Sequence, residues 1–170
     1  PIVAVDPDPV KRQKALEVGA DFAFDPYDTE FSQKVKQVTN GGANVGIEVT
    51  GIGAGLNGIL DCMALKGRVA LLGCTRSSDF TIDYYHKVHG PGITLIGAHT
   101  HARPEYESSN GWWTQEDDID ALIKLTRLGR LKLADIVDET YSPDDANAVY
   151  TRLANDKTFP IVQFDWRKLK

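Results

Sequence analysis

The chain has 170 residues, 42% of them hydrophobic and 25% charged, with 19 Lys and Arg against 24 Asp and Glu for a formal net charge of −5. That balance belongs to an ordinary folded chain of one domain, or one domain and part of another, and excludes a disordered tail. The negative charge speaks against nucleic acid or an anionic membrane as partner, and no run reaches the roughly 18 apolar residues of a membrane helix.

Residues 1–6 read Pro-Ile-Val-Ala-Val-Asp. Ile2–Val5 is expected to be a buried, parallel strand, and a chain that opens on a strand is expected to begin inside a larger protein. Asp8-Pro9 offers an N-cap and a proline at the first helical position; the helix should run to about Val18, where Gly19 can close it in the left-handed conformation. Phe22–Phe24 reads as a second short strand. Thr29 is expected to cap a helix with Phe31, Val35 and Val38 on one stripe, ended by Gly41-Gly42.

Val45–Thr50 reads as a third strand, and Leu56, Ile59, Leu60 and Met63 mark the helix after it. Arg68–Leu72 and Ile93–Ile96 read as the fourth and fifth strands. The stretches Thr75–Pro91 and Ala98–Trp113 are polar, less regular, and contain all four histidines. Thr114-Gln-Glu-Asp117 is a capping box, and the helix it opens is acidic early and basic late, which complements its dipole. Ser142-Pro-Asp-Asp145 opens another helix, with Ala146, Val149, Tyr150 and Leu153 expected inward, and Phe159–Trp166 reads as a last strand. Strands and helices in this alternation predict an α/β fold with a parallel sheet.

Two cysteines, Cys62 and Cys74, are too few for a disulfide framework and lack paired zinc-ligand spacing. The simplest expectation is a reduced, cytoplasmic protein, with no signal peptide expected.

Two features point to a dinucleotide. Asp6 ends the first strand, where an acid can accept hydrogen bonds from the adenosine ribose and repel a 2′-phosphate, favouring NAD over NADP; taken alone, an Asp that ends a strand is more often a helix N-cap. Gly53-Ala-Gly55-Leu-Asn-Gly58 is a literal G-x-G-x-x-G between a strand and a helix. The strand after it ends in Leu72-Gly73-Cys74 with no acid for a ribose, so tight turning and close helix packing are the favoured reading of these glycines.

The run Ala4-Val-Asp-Pro-Asp-Pro-Val-Lys-Arg-Gln-Lys-Ala-Leu-Glu-Val-Gly-Ala-Asp21 resembles the medium-chain dehydrogenase/reductase family of the zinc-dependent alcohol dehydrogenase type. The likeness continues through Asp25-Pro26, Asn44–Gly51, Lys66-Gly-Arg-Val-Ala-Leu-Leu-Gly73, Gly92-Ile-Thr-Leu-Ile-Gly97 and Phe159-Pro-Ile-Val-Gln-Phe-Asp-Trp166. It implies the C-terminal part of such an enzyme: a Rossmann-like parallel sheet lacking its first strand and glycine-rich turn. Residues 1–135 would be a partial NAD-binding domain, and 136–170 a segment returning to the catalytic domain. The N-terminal catalytic half, absent here, would hold the zinc.

The resemblance also implies roles. Asp6 would bind the adenosine ribose, and Arg12 the adenosine or a phosphate, with a solvated helix face as its alternative. Thr50 and Gly51 would line the adenosine side. Leu72, Gly73 and Cys74 would bring backbone to the nicotinamide ribose, and Gly97, Ala98 and His99 would lie near the carboxamide. No catalytic residue and no metal ligand is expected in this chain. The implied reaction is hydride transfer between a small secondary alcohol and NAD. The implied assembly is a homodimer pairing through Ile93–Gly97, and this chain alone would be inactive.

His86 and His89 are expected to be ordinary solvated loop residues. For His99 and His101, substrate or cofactor contact and solvation stay open, as do a substrate lip, a subunit contact and an edge cover for Tyr106, Trp112 and Trp113. The competing functions are a non-catalytic nucleotide-binding or interaction remnant without zinc, and a zinc-free quinone-reductase-like relative, against which Asp6 argues. In the usual strand order 3-2-1-4-5-6, loss of the first strand would leave Ile2–Val5 and Val45–Thr50 facing each other across a gap.

Overall fold

The structure, a computed structural model, describes residues 1–74, 78–156, 158 and 160–169. Thr75, expected to open an irregular stretch, and Phe159, expected to open the last strand, lie outside them. Residues fall into two units, Pro1–Trp112 and Trp113–Lys170.

In the first unit the order is β1 (Val3–Val5), α1 (Pro9–Glu17), β2 (Phe22–Phe24), α2 (Phe31–Val38), β3 (Ala43–Glu48), α3 (Gly53–Cys62), β4 (Met63–Leu71) and β5 (Thr94–Gly97). Asp8 caps α1 by accepting from Val10 N at 2.8 Å, Pro9 occupies the first turn, and Gly19 follows the helix at φ +119°. All pairings in this unit's sheets are parallel. β1 pairs with β2, and β3, β4 and β5 form a separate sheet in the order β3-β4-β5. These are the neighbours that the strand order predicts on either side of a missing first strand, and β1 and β3 do not pair.

The register explains the packing. Partners aligned across a parallel sheet share a face, and successive residues alternate. Gly46, Val69 and Leu95 lie on one face, where Leu56, Leu60, Met63 and Ile93 gather around the fully buried Val69. Gly46 is small because Ile59 Cδ1 stands 2.7 Å from where its Cβ would be. Val45 and Ile47 on the opposite face remain 58% and 60% exposed. A second cluster joins Phe31, Val35 and Cys62, with Val3 and Phe24 against it, so α2 links the β1-β2 pair to α3.

Several boundaries differ from expectation. Thr29 does not cap α2: Asp28 does the local work, its Oδ1 accepting from Glu30 N at 2.8 Å and its other oxygen meeting Lys34. That ammonium holds the Asp28 carboxyl below its ordinary range. β3 ends two residues earlier than expected, because Thr50 turns back onto Glu48. β4 starts at Met63, which ends the expected helix, since the chain passes from α3 straight into strand. Tyr85–His89 forms a short π-helical turn inside a stretch expected to be irregular.

The second unit holds α4 (Gln115–Arg127), β6 (Glu139–Tyr141), α5 (Ala146–Leu153) and β7 (Val162–Phe164). Thr114 caps α4, accepting from Asp117 N. β6 and β7 pair in parallel, and Arg152 of α5 bridges Glu139 and Asp156. Val149 is buried as expected, but Tyr150 is 65% exposed, its ring set against Phe164 at 5.9 Å. The last strand is shorter than expected, with Trp166 in a 3₁₀ turn. Among the described residues no helix is long and apolar enough to cross a membrane.

Unpaired parallel strands and a bare Val45–Ile47 face leave polar backbone and apolar side chains without partners. Residues 1–170 produced alone should unfold over a broad transition and bind an apolar dye before it. A sharp, dye-silent, concentration-independent melt would contradict this.

Candidate functional site

The register brings the ends of three strands to one edge. Glu48 aligns with Leu71 and Leu71 with Gly97, so the residues just beyond them share the carboxyl edge of the sheet. These are Thr50 and Gly51 after β3, Leu72, Gly73 and Cys74 after β4, and Ala98 and His99 after β5. Ala98 N still donates to Leu71 O at 3.1 Å, extending the ladder by one residue.

Backbone contacts tie the first two ends together. Leu72 N and Gly73 N both donate to Glu48 O, at 2.9 and 2.8 Å. Gly51 turns at φ +67°, a conformation that glycine adopts at little cost. Gly73 has no room for a side chain: its Cβ would fall 2.2 Å from Gly51 N. The G-x-G-x-x-G glycines have local packing roles: a Cβ at Gly53 would meet Phe80 at 2.6 Å, and one at Gly55 would meet Thr50 Oγ1 at 2.1 Å.

Asp6 follows β1, and its Oδ1 accepts from Asp8 N at 2.8 Å, so the carboxylate orders the turn into α1. Arg12 is not a solvated helix residue. Its Nη1 donates to Asp6 O at 2.7 Å and Pro7 O at 2.9 Å, and lies 3.4 Å from Asp25 Oδ2. The guanidinium thus clamps the turn that carries Asp6.

His99 is exposed and stacks on His101 with ring centroids 5.2 Å apart. His101 N donates to His99 Nδ1 at 3.1 Å, a bond that places the neutral ring's proton on Nε2. His86 Nδ1 pairs with Asp83 Oδ2 at 2.9 Å, and His89 stacks on Tyr85 at 5.6 Å. Hydrogen bonds from the His86 backbone and ring hold the Asp83 carboxyl below its usual range. Among the described residues no three His, Cys, Asp or Glu side chains gather as a metal site. Tyr106, Trp112 and Trp113 are all exposed.

The residue that strand-end reasoning missed is Glu48. It is only 6% exposed, yet it is a carboxylate in a strand of mostly apolar residues. The signal for it was its place two residues before the Thr50-Gly51 pair.

With this edge described, kinship can be stated. The chain belongs to the zinc-binding dehydrogenase family, whose model matches residues 1–115. It is similar to an L-threonine 3-dehydrogenase of Pyrococcus horikoshii, 27% identical over 146 residues, 85% of this chain and 38% of that protein. Its fold matches a benzyl alcohol dehydrogenase from Acinetobacter calcoaceticus at TM-score 0.76 and 21% identity, covering 96% of this chain and 42% of that one. It also matches a short chain alcohol dehydrogenase from E. coli CFT073 complexed with cofactor NADH, at TM-score 0.73 and 13% identity, covering 96% and 44%. The chain spans about two fifths of the length of each of these relatives.

The two thiols should behave differently. Cys74 is exposed, whereas burial pushes the Cys62 thiol up to about 11 from 9.0. Stability tied to the protonated Cys62 is therefore full below the unfolded value of 9.0 and lost as pH rises through about 11. At pH 8 a disulfide reagent should label Cys74 first and Cys62 only with unfolding. Equal native rates would contradict this.

Proposed function

We propose that this chain is the NAD-binding part of a zinc-dependent alcohol or polyol dehydrogenase that moves a hydride between a secondary alcohol and NAD. The observation that carries the reading is the register that draws three strand ends, with Gly51, Gly73 and Ala98, to the carboxyl edge of one parallel sheet. Sheets of this class bind nucleotides at that edge. The names of the relatives, which act on alcohols or threonine, support the reaction class, and the NADH of the E. coli structure supports the cofactor.

When bound, NAD supplies the hydride acceptor. The chain's own residues bind and orient it. Asp6 accepts from the ribose hydroxyls and disfavours a 2′-phosphate through charge repulsion. Arg12 acts through Asp6, by holding its turn. Thr50 and Gly51 line the adenosine side. Leu72, Gly73 and Cys74 present backbone to the nicotinamide ribose, where a glycine lets it come close. Gly97, Ala98 and His99 lie beside the carboxamide.

The described residues do not fit a zinc site, and no step is assigned to them through one. Zinc and the alcohol pocket belong, on this reading, to the N-terminal catalytic half. Residues 1–135 belong to the nucleotide-binding domain and 136–170 to the catalytic domain. The strand that fills the space between β1 and β3 comes from the rest of the protein. β5, at the end of its sheet, pairs with its copy in a homodimer. The enzyme works in the cytoplasm, and this chain alone is inactive.

In the full-length protein, Asp6→Ala should raise the Kd for NAD about tenfold or more, the scale of a lost charge-assisted hydrogen bond. It should also narrow the preference over NADP. Titrating both cofactors into wild type and variant checks this, and an unchanged NAD-to-NADP ratio would contradict it.

A further inference from the structure

We infer that Glu48 is a positioning residue of the cofactor edge: its buried carboxylate sets the conformation of the Thr50-Gly51 turn that the nucleotide meets. The inference rests on the cofactor reading above and adds a residue that this reading does not contain.

Glu48 is the last residue of β3 and lies on the covered face of the sheet, in line with Leu71 and Gly97. Among the described residues no cation pairs with its carboxylate. It accepts from three donors of the next three residues: Thr50 N at 2.7 Å, the Thr50 hydroxyl, and Gly51 N at 3.1 Å through Oε2. The Thr50 hydroxyl in turn accepts from Ile52 N at 3.2 Å, which carries the order to the start of α3. The same residue's carbonyl accepts both Leu72 N and Gly73 N. One residue therefore fixes the ends of two neighbouring strands.

The surroundings are shaped to this carboxylate. A Cβ on Gly73 would stand 2.7 Å from Glu48 Oε2, and a Cβ on Gly55 would stand 2.9 Å from Glu48 Oε1. Both glycines leave room for a carboxylate that faces in. A buried carboxylate needs its lone pairs filled. Here backbone amides and the Thr50 hydroxyl fill them, and those amides belong to the turn at the edge, where Thr50 is exposed and Gly51 buried. The physical effect is a loop locked before the ligand arrives, which lowers the ordering cost of binding.

Glutamine separates this role from mere packing. Glu48→Gln keeps the shape and one acceptor oxygen, but sets an N–H₂ donor against an amide donor of the turn. In the full-length protein it should raise both Kd and KM for NAD about tenfold, with the loss in KM rather than kcat, and quicken amide exchange at Thr50 and Gly51. A variant with wild-type Kd for NAD and wild-type exchange at Gly51 would overturn the inference. So would a variant whose loss lies in kcat or melting temperature with KM unmoved, because that is the mark of a structural residue.

Wild-type exchange gives a second readout should the variant not fold. The Gly51 amide should be protected, and rapid exchange there would overturn the inference. If wild-type protein fails to bind NAD, the cofactor reading falls by itself. The carboxylate's hold on the turn is then decided by the Gly51 exchange alone.

Discussion

A parallel strand inside a sheet satisfies its backbone through neighbours on both sides; among the described strands only β4 has two, and the first unit is arranged around the open edges of β1 and β3. β1 pairs with β2, β3 pairs with β4, and β1 and β3 do not meet. Hairpins can close an antiparallel sheet locally, but parallel strands come from distant parts of a chain joined by helices. Here α2 and the buried Cys62 hold the two pieces in one unit through side chains, without a strand between them. The bare face bearing Val45 and Ile47 belongs to the same condition, since parallel sheets are ordinarily covered on both sides.

The candidate cofactor edge follows from the same sheet. Because β3, β4 and β5 are in register, whatever follows each strand emerges at one line. The residues there are small or glycine where backbone crowds backbone, as at Gly51 and Gly73. Glu48 then ties the end of β3 to the amides of Thr50 and Gly51. Membership in the zinc-binding dehydrogenase family rests on residues 1–115, which include every residue of this edge.

Much of this was legible in the sequence because its causes are local. Asp8-Pro9 and Gly19 mark both ends of α1, and Phe22–Phe24 stands between turn residues. The alternation of short apolar runs with helical stripes gave the parallel class, and the family resemblance implied the candidate cofactor residues. What was not legible depends on partners distant in sequence or on competing caps. Asp28 and Thr29 are adjacent, and Asp28 takes the role through the Glu30 amide and the Lys34 ammonium. Arg12 reads as a helix-surface cation until the turn carbonyls of Asp6 and Pro7 fold under it. Tyr150 lies on an apolar stripe whose Val149 is buried and whose Ala146 and Leu153 are half-buried, yet it stays exposed. Glu48 in a strand reads as an outward residue, and only the return of Thr50 and Gly51 shows why it faces in.

The measurement that tests the central claim most directly is residue-resolved hydrogen exchange across β1 and β3, in residues 1–170 alone and in the full-length protein. In a parallel strand alternate amides point to opposite neighbours. The account predicts that in the chain alone every second amide of β1 and of β3 exchanges rapidly while those facing β2 and β4 stay protected. The rapid set should become protected in the full-length protein. Uniform protection along both strands in the chain alone would contradict it.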